Sequence, residues 1–293
     1  MTGAGVLPLD KPEGPTSHDM VAQARRALKE RRVGHTGTLD PFASGLLLLC
    51  VGRATRLAEF LTGLDKTYEA VARLGIATDS EDRDGAVISE SDAWKAFDEA
   101  AVEAAMAGFS GVVDQVPPQF SAKKVGGEAM YLKARRGERV ELEPRQVHIH
   151  EIELLEMDLP DVRFRVRCSS GTYVRSIARD MGEALGVGAH LTHLRRTAVG
   201  AFAVKGSLSP GELEDPARVA AAWIDPLAAL AHLPRVEVDA QAAGELRHGR
   251  RVPAPGAGSE DLDPVAVAHG TDLVAVGRVS GGVLKPSKVF PDD

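Results

Sequence analysis

The chain reads as an α+β protein, and three patterns in its sequence say so. Residues 46–51, Leu-Leu-Leu-Leu-Cys-Val between Gly45 and Gly52, form a short apolar run of the kind a buried strand makes. Residues 161–169 alternate instead: Val162, Phe164, Val166 and Cys168 fall on one face and Arg163, Arg165 and Arg167 on the other, as in a half-buried strand. Two segments carry apolar residues at helical spacing, Met20, Val21, Ala24, Ala27 and Leu28 in one and Tyr173, Ile177, Met181 and Leu185 in the other.

The remaining elements follow in order. Ser17, after Pro15, is placed to cap the first helix. A helical stretch at 54–61 and a strand at 68–74 come after the apolar run. The loop TDSEDRDG leads into a strand at 86–89, and Ser91 is placed to cap the next helix. Residues 111–139 are the least regular, with Pro117, Pro118, Gly126 and Gly127 ahead of a short helix ending near Gly137; a long loop of this kind is usually functional. The helix containing Ile177 starts near Thr172 and stops at Gly186. A helical linker over 210–233 leads to short strands separated by glycine pairs.

At 293 residues, 44% hydrophobic and 26% charged, the chain is an ordinary globular protein with room for one large and one small domain. No apolar run approaches the roughly 18 residues of a membrane span, and the N-terminus has neither a basic start nor an apolar core. A cytoplasmic protein is expected. Cys50 and Cys168 lie in strand patterns without metal-ligand spacing and read as buried thiols; no nucleotide-binding glycine loop occurs. No cofactor or metal is expected.

The net charge of -7 hides an uneven distribution. Acids crowd residues 78–110. Basic residues gather at Arg25, Arg26, Lys29, Arg31 and Arg32, again at Lys123, Lys124, Lys133, Arg135, Arg136 and Arg139, and again at Arg163, Arg165, Arg167, Arg175, Arg179, Arg195 and Arg196. Any one cluster is an ordinary solvated face; three together suggest a phosphate-binding surface.

Asp40 stands out within HTGTLDPFASG. Gly37, Pro41 and Gly45 punctuate the backbone around it and set it on a loop against the apolar strand, which is how a reactive acid is presented. Asp-Pro also initiates ordinary turns, so the pattern by itself leaves a structural Asx turn open.

The run GHTGTLDPFASGLLL resembles the motif of the TruB family of pseudouridine synthases, whose catalytic Asp falls on Asp40. QVPPQFSAKKVGG and CSSGTYVRSIARDMGEALG resemble two further motifs of that family, and the segment from Pro234 onward looks like its small PUA-type RNA-binding barrel. The resemblance implies a catalytic domain over 1–232, built on a mixed, mainly antiparallel sheet flanked by helices and loops, with an RNA-clasping insertion at about 111–139. It implies a PUA-like β-barrel over 233–293. The implied reaction is isomerisation of uridine 55 in the T arm of tRNA, by base flipping and Asp-initiated cleavage and re-formation of the glycosidic bond. Asp40 would act as nucleophile or as base at the sugar, and Arg175 would pair with it. Tyr68 would stack on the flipped base, His35 would fill the space it leaves, and Leu194 and Tyr173 would complete the pocket. Arg25, Arg26, Lys123, Lys124, Arg135 and Arg196 would contact RNA.

Without segments for partner proteins, the expected form is a stand-alone monomer that needs no guide RNA. A glycoside hydrolase would need a second motif carboxylate. The alternative of a different class is a non-catalytic RNA-binding or tRNA-folding protein.

Overall fold

The computed structural model describes residues 3–120, 124–125, 128–130, 136, 140–255 and 261–291. In chain order come β1 (Gly5–Lys11), α1 (Ser17–Leu28), β2 (Val33–His35), β3 (Ser44–Val51), a 3₁₀ turn at Gly52–Leu57, α2 (Ala58–Thr62) and β4 (Lys66–Leu74). The hairpin of β5 (Ile76–Thr78) and β6 (Val87–Glu90) precedes α3 (Glu99–Ala107), β7 (Gly111–Gln115) and the short pair β8 (Lys124–Val125) and β9 (Glu128–Ala129). Next are β10 (Arg145–Asp158), β11 (Asp161–Cys168), α4 (Val174–Ala184), β12 (Ala189–Val199) and β13 (Phe202–Ala203). Helices α5 (Pro216–Ala222) and α6 (Pro226–Ala229) lead to β14 (Arg235–Glu237), α7 (Ala240–Arg247), β15 (Val252–Pro253), β16 (Leu262–His269), β17 (Asp272–Ser280) and β18 (Val283–Val289).

Nine strands make one sheet in the order β1-β3-β12-β4-β11-β10-β7, with β2 attached to β3 and β13 to β12. Its pairings are antiparallel except where β12 runs parallel to β3, so the sheet is mixed and mainly antiparallel, as expected. The absence of alternation in β3 has a simple cause: both its faces are covered. Leu47 and Leu49 pack with Met20, Val21 and Ala24 of α1, while Leu46, Leu48 and Cys50 pack with Leu57 and Leu61. The second face continues into a five-stranded half-barrel, β14-β16-β17-β18-β15, through Ala266, Leu273, Val276 and Phe290. Helix α4 closes the other end of the sheet, with Ile177, Ala178 and Met181 buried against Ala70, Ala72 and Phe164. Among the described residues no helix is long and apolar enough to cross a membrane.

Three helix starts differ from the sequence expectation. Thr16, not Ser17, caps α1: its hydroxyl accepts the Asp19 N–H at 3.1 Å, and the Asp19 carboxylate accepts the Thr16 N–H at 2.8 Å. The acid three residues on makes this reciprocal box available only to Thr16. Ser17 turns inward and holds Leu39, accepting from its N–H at 2.9 Å and donating to its carbonyl at 3.2 Å. Asp98, not Ser91, caps α3. Helix α4 begins at Val174, after an uncapped Tyr173.

Gly45 shows why the loop motif ends in glycine. Its φ is +104°, and a Cβ there would lie 2.2 Å from the Arg196 carbonyl oxygen of the neighbouring strand. That oxygen is backbone and cannot swing away. Gly45→Ala is expected to lower the unfolding free energy by about 2–4 kcal/mol, combining left-handed strain with overpacking. Urea unfolding of the two proteins measures this, and an unchanged midpoint would refute it.

Candidate active site

The loop between β2 and β3 is held from several sides. Thr36 N–H bonds Leu48 O, Gly14 N–H bonds Pro41 O, and the Arg196 guanidinium donates to Gly37 O at 3.0 Å. Lys11, wholly buried on β1, donates its ammonium to Pro12 O at 2.8 Å, Ala43 O at 2.7 Å and Pro41 O at 3.3 Å. Burial brings its pKa down to about 8, while the nearby Asp40 charge acts the other way. The sequence reading did not single out Lys11; the only signal is a basic residue within an otherwise core-facing strand.

This frame presents Asp40 with its side chain 35% exposed beside Arg175, which is 3% exposed. Arg175 Nε lies 3.0 Å from Asp40 Oδ2, and its terminal nitrogen donates to Oδ1 at 3.3 Å. The same guanidinium donates to Ser80 O and to Phe120 O, both at 2.8 Å, and stands 3.4 Å from the Asp82 carboxylate. The loop TDSEDRDG, expected only to lead the chain into the next strand, is therefore part of the site. Ser80, Glu81 and Asp82 are buried, and Glu81 adopts a left-handed backbone at φ 65°. Its carboxylate takes the Ser176 hydroxyl at 2.9 Å and Arg179 at 2.5 Å. Burial pushes the Glu81 and Asp82 carboxyls above the usual range, opposed by Arg179 at the first and by the Ser80 hydroxyl and Arg175 at the second.

Asp40 opens into a cleft of about 500 Å³, whose walls include Lys66, Tyr68, Arg145, Tyr173, Arg175, Leu194 and Arg196. Asp40 is the one carboxylate among the described residues lining it. Tyr68 and Leu194 give it apolar walls. Burial raises the Tyr68 phenol, and the neighbouring Arg196 charge pulls the other way. Lys66 sits on Thr62 O at 2.5 Å and Leu64 O at 2.6 Å, with burial bringing its pKa down to about 8.

Other expected site residues lie elsewhere. His35 is outside the cleft wall, edge-on to His18 with ring centroids 5.4 Å apart, its Nδ1 accepting the Gly37 N–H at 3.3 Å. Arg25 and Arg26 are exposed on α1, Arg25 also donating to Val33 O at 2.7 Å. Lys123 and Arg135 lie outside the described residues; Lys124 starts β8. Arg196 was expected at the RNA surface but is 2% exposed, donating inward to Leu46 O at 2.7 Å. Strand alternation separates it from Arg195, which faces out to Asp10 at 2.7 Å.

The third basic cluster is likewise not a free phosphate surface. Across the sheet, Arg163 meets Glu69 and Glu156, Arg165 meets Glu69 and Glu153, and Arg167 meets Glu151 and Asp65. Cross-strand register creates this ladder, pairing Glu153 with Arg165 on one side and Arg165 with Glu69 on the other. No group of three or more His, Cys, Asp or Glu among the described residues could hold a metal ion.

Comparison with known proteins adds independent findings. The family model described as TruB family pseudouridylate synthase (N terminal domain) matches residues 25–174, and that of the tRNA pseudouridylate synthase B C-terminal domain matches 175–227. Proteins named tRNA pseudouridine synthase B from Burkholderia lata and Cupriavidus metallidurans are 46% and 43% identical, each over 97% of this chain and over 89% and 93% of their own lengths. Among solved structures, a chain of an H/ACA RNP bound to a substrate RNA containing 2′-deoxyuridine is 29% identical with a TM-score of 0.77. A chain of a Cbf5-Nop10-Gar1 complex is 31% identical with a TM-score of 0.78. Each alignment covers 98% of this chain and 85% of the other.

Burial brings the His35 pKa from 6.5 down to about 4, with the His18 and Arg196 charges adding to the effect. Between those values the unfolded chain takes up the proton first, so His35 withdraws stability as pH falls from 6.5 towards 4. Urea unfolding across that window is expected to show a shallower pH dependence in His35→Asn than in the wild type. Identical dependences would mean that His35 titrates freely in the folded state.

Proposed function

The chain belongs to the TruB family of pseudouridylate synthases, and from that premise we propose that it isomerises uridine 55 in the T arm of tRNA to pseudouridine. The observation that carries this reading is Asp40, the one carboxylate among the described residues of a cleft with apolar walls, held by Arg175 and accompanied by the cationic side chains Lys66, Arg145 and Arg196. A cleft of about 500 Å³ is within the size range of small-ligand sites and accommodates one flipped nucleotide. Extrusion of the base costs a few kcal/mol, which contacts between protein and RNA offset.

In this reading the uracil lies against Tyr68, with Leu194 and Tyr173 completing the pocket, and Asp40 faces the sugar. The bond between C1′ and N1 breaks, with Asp40 acting as nucleophile at C1′ or as base at the sugar. The detached uracil turns within the walls and rejoins C1′ through C5, displacing Asp40 where it had bonded there; C5 gives up its proton and N1 gains one, with Tyr68 as the relay that takes a proton as it passes its own on. Atoms and electrons balance within one substrate. His35, beside the loop, fills the space left in the RNA stack, and the half-barrel over 233–293 grips RNA beside the catalytic domain of 1–232. The proposal includes a stand-alone monomer that works without a guide RNA.

Incubation with unmodified tRNA followed by pseudouridine mapping tests the activity. Asp40→Asn is expected to abolish product while tRNA affinity is retained. Turnover by a folded Asp40→Asn protein would end the assignment, and tRNA binding without any product from the wild type would favour the RNA-folding alternative.

Phosphate binding in this reading falls to α1 and the 111–139 insertion, because the Arg163, Arg165 and Arg167 row is already paired. Removing Arg25 or Arg26 is expected to flatten the dependence of log affinity on log salt by about 1 for each phosphate no longer neutralised. Arg165→Ala should leave that slope unchanged; a flattening there as large as at Arg25 would show that the ladder opens to RNA.

A further inference from the structure

The segment QVPPQFSAKKVGG has a described beginning, and its first residue is unusually committed. Gln115 ends β7, is 4% exposed, and uses both ends of its carboxamide on one backbone unit of another element. Its Nε2 donates to Tyr173 O at 3.0 Å, and its Oε1 accepts the Tyr173 N–H at 2.8 Å. Tyr173 is the residue from which α4 springs, and it has no side-chain cap of its own. Two parallel hydrogen bonds to one residue's N–H and C=O fix its translation and its twist together, which a single bond cannot do.

The contacts then continue along the same stem. Val116 O accepts from the Ser176 hydroxyl and from Arg179, both at 3.1 Å, and Phe120 O accepts from Arg175 at 2.8 Å. The nitrogen that serves Phe120 O is the one that reaches Asp40 Oδ1. The seating of residues 115–120 on the first turn of α4 thus determines where the Arg175 guanidinium stands, and with it the aim of Asp40. Gln115 is neutral, does not itself line the cleft, and spends its side-chain hydrogen bonds on the Tyr173 backbone.

We propose that Gln115 is a positioning residue for the uridine isomerisation, clamping the Tyr173 backbone N–H and C=O so that Arg175 and Asp40 keep their reactive alignment. The inference rests on the synthase reading above. It adds a residue that acts on chemistry from behind the site. Misplacement of a reacting group by about 1 Å costs on the order of 100-fold in rate, and loss of the clamp permits displacement on that scale.

The test uses the full-length chain and unmodified tRNA, with single-turnover rates and tRNA affinities measured for the wild type, Gln115→Ala and Gln115→Glu. Gln115→Ala is expected to slow turnover about 10- to 100-fold with affinity retained. Gln115→Glu supplies a finer readout. A protonated carboxyl has the donor and acceptor of the amide, giving its O–H to Tyr173 O and taking the Tyr173 N–H; the ionised form sets a lone pair against that carbonyl. The charged groups around it are Arg145, its cross-strand partner on β10, Arg175 on α4, and Arg179 with Glu81 beyond Val116. The rate of Gln115→Glu relative to wild type should therefore rise as pH falls. Thermal melts at each pH confirm that the folded protein is being compared.

Wild-type rates in both variants would overturn the proposal, as would rate losses matched by equal losses of affinity. A Gln115→Glu to wild-type ratio that is flat with pH would also overturn it. Should Gln115→Ala not fold, the ratio for Gln115→Glu decides alone. Absence of product from the wild type would instead strike at the synthase reading, so the two failures are distinct.

Discussion

Four separate stretches of chain, one of them carrying Arg175, meet at its guanidinium, and the shape of the site depends on that meeting. Asp40 comes from the loop between β2 and β3, Ser80 O and Asp82 from the loop between β5 and β6, Phe120 O from the stem after β7, and Arg175 itself from α4. A planar guanidinium offers five N–H donors in a fixed fork, so it holds several oxygens at set angles where an ammonium would act as a point charge. Breaking a buried ion pair by removing one partner typically costs about 3–5 kcal/mol, because the remaining charge is stranded. Such a centre is costly to take apart and correspondingly exact in what it aims.

Around it the molecule uses its other buried cations as struts. Lys11 gathers the carbonyls of the Asp40 loop, and Arg196 ties Gly37 of that loop to Leu46 of β3. Both supply positive charge near Asp40 without a carboxylate partner of their own among these contacts. With one acid and several fixed cations among its described lining residues, the cleft carries a net positive field. The acidic total charge of the chain does not conflict with this, because the field in a cleft is set by the charges that line it rather than by the sum over the whole surface, and the described lining carries four cations and one carboxylate.

Much of the architecture was legible from local pattern. The alternation of residues 161–168 is the burial pattern of β11, and the apolar run at 46–51 lies in β3. The face carrying Ile177 and Met181 does pack into the core, leaving Arg175 to find a carboxylate. Glycine and proline around Asp40 marked a loop because they act on the backbone of their own residues, independent of the rest of the fold. The caps were misplaced by one residue at α1 and by seven at α3 because several Ser, Thr and Asp stood nearby, and only the returning bond selects among them.

The sequence by itself determined the fold class, the loop that presents Asp40 and the family to which the chain belongs, all of which rest on residues close together along the chain. Tertiary structure alone decided that the Arg163, Arg165 and Arg167 row is neutralised, that Arg196 is buried while Arg195 is not, and that Ser80, Glu81, Asp82 and Lys11 belong to the site. The reason is that a charge's role depends on what lies across from it. Glu153 and Glu69 come from different strands, in sequence separated by more than eighty residues, and only β-sheet register sets both beside Arg165.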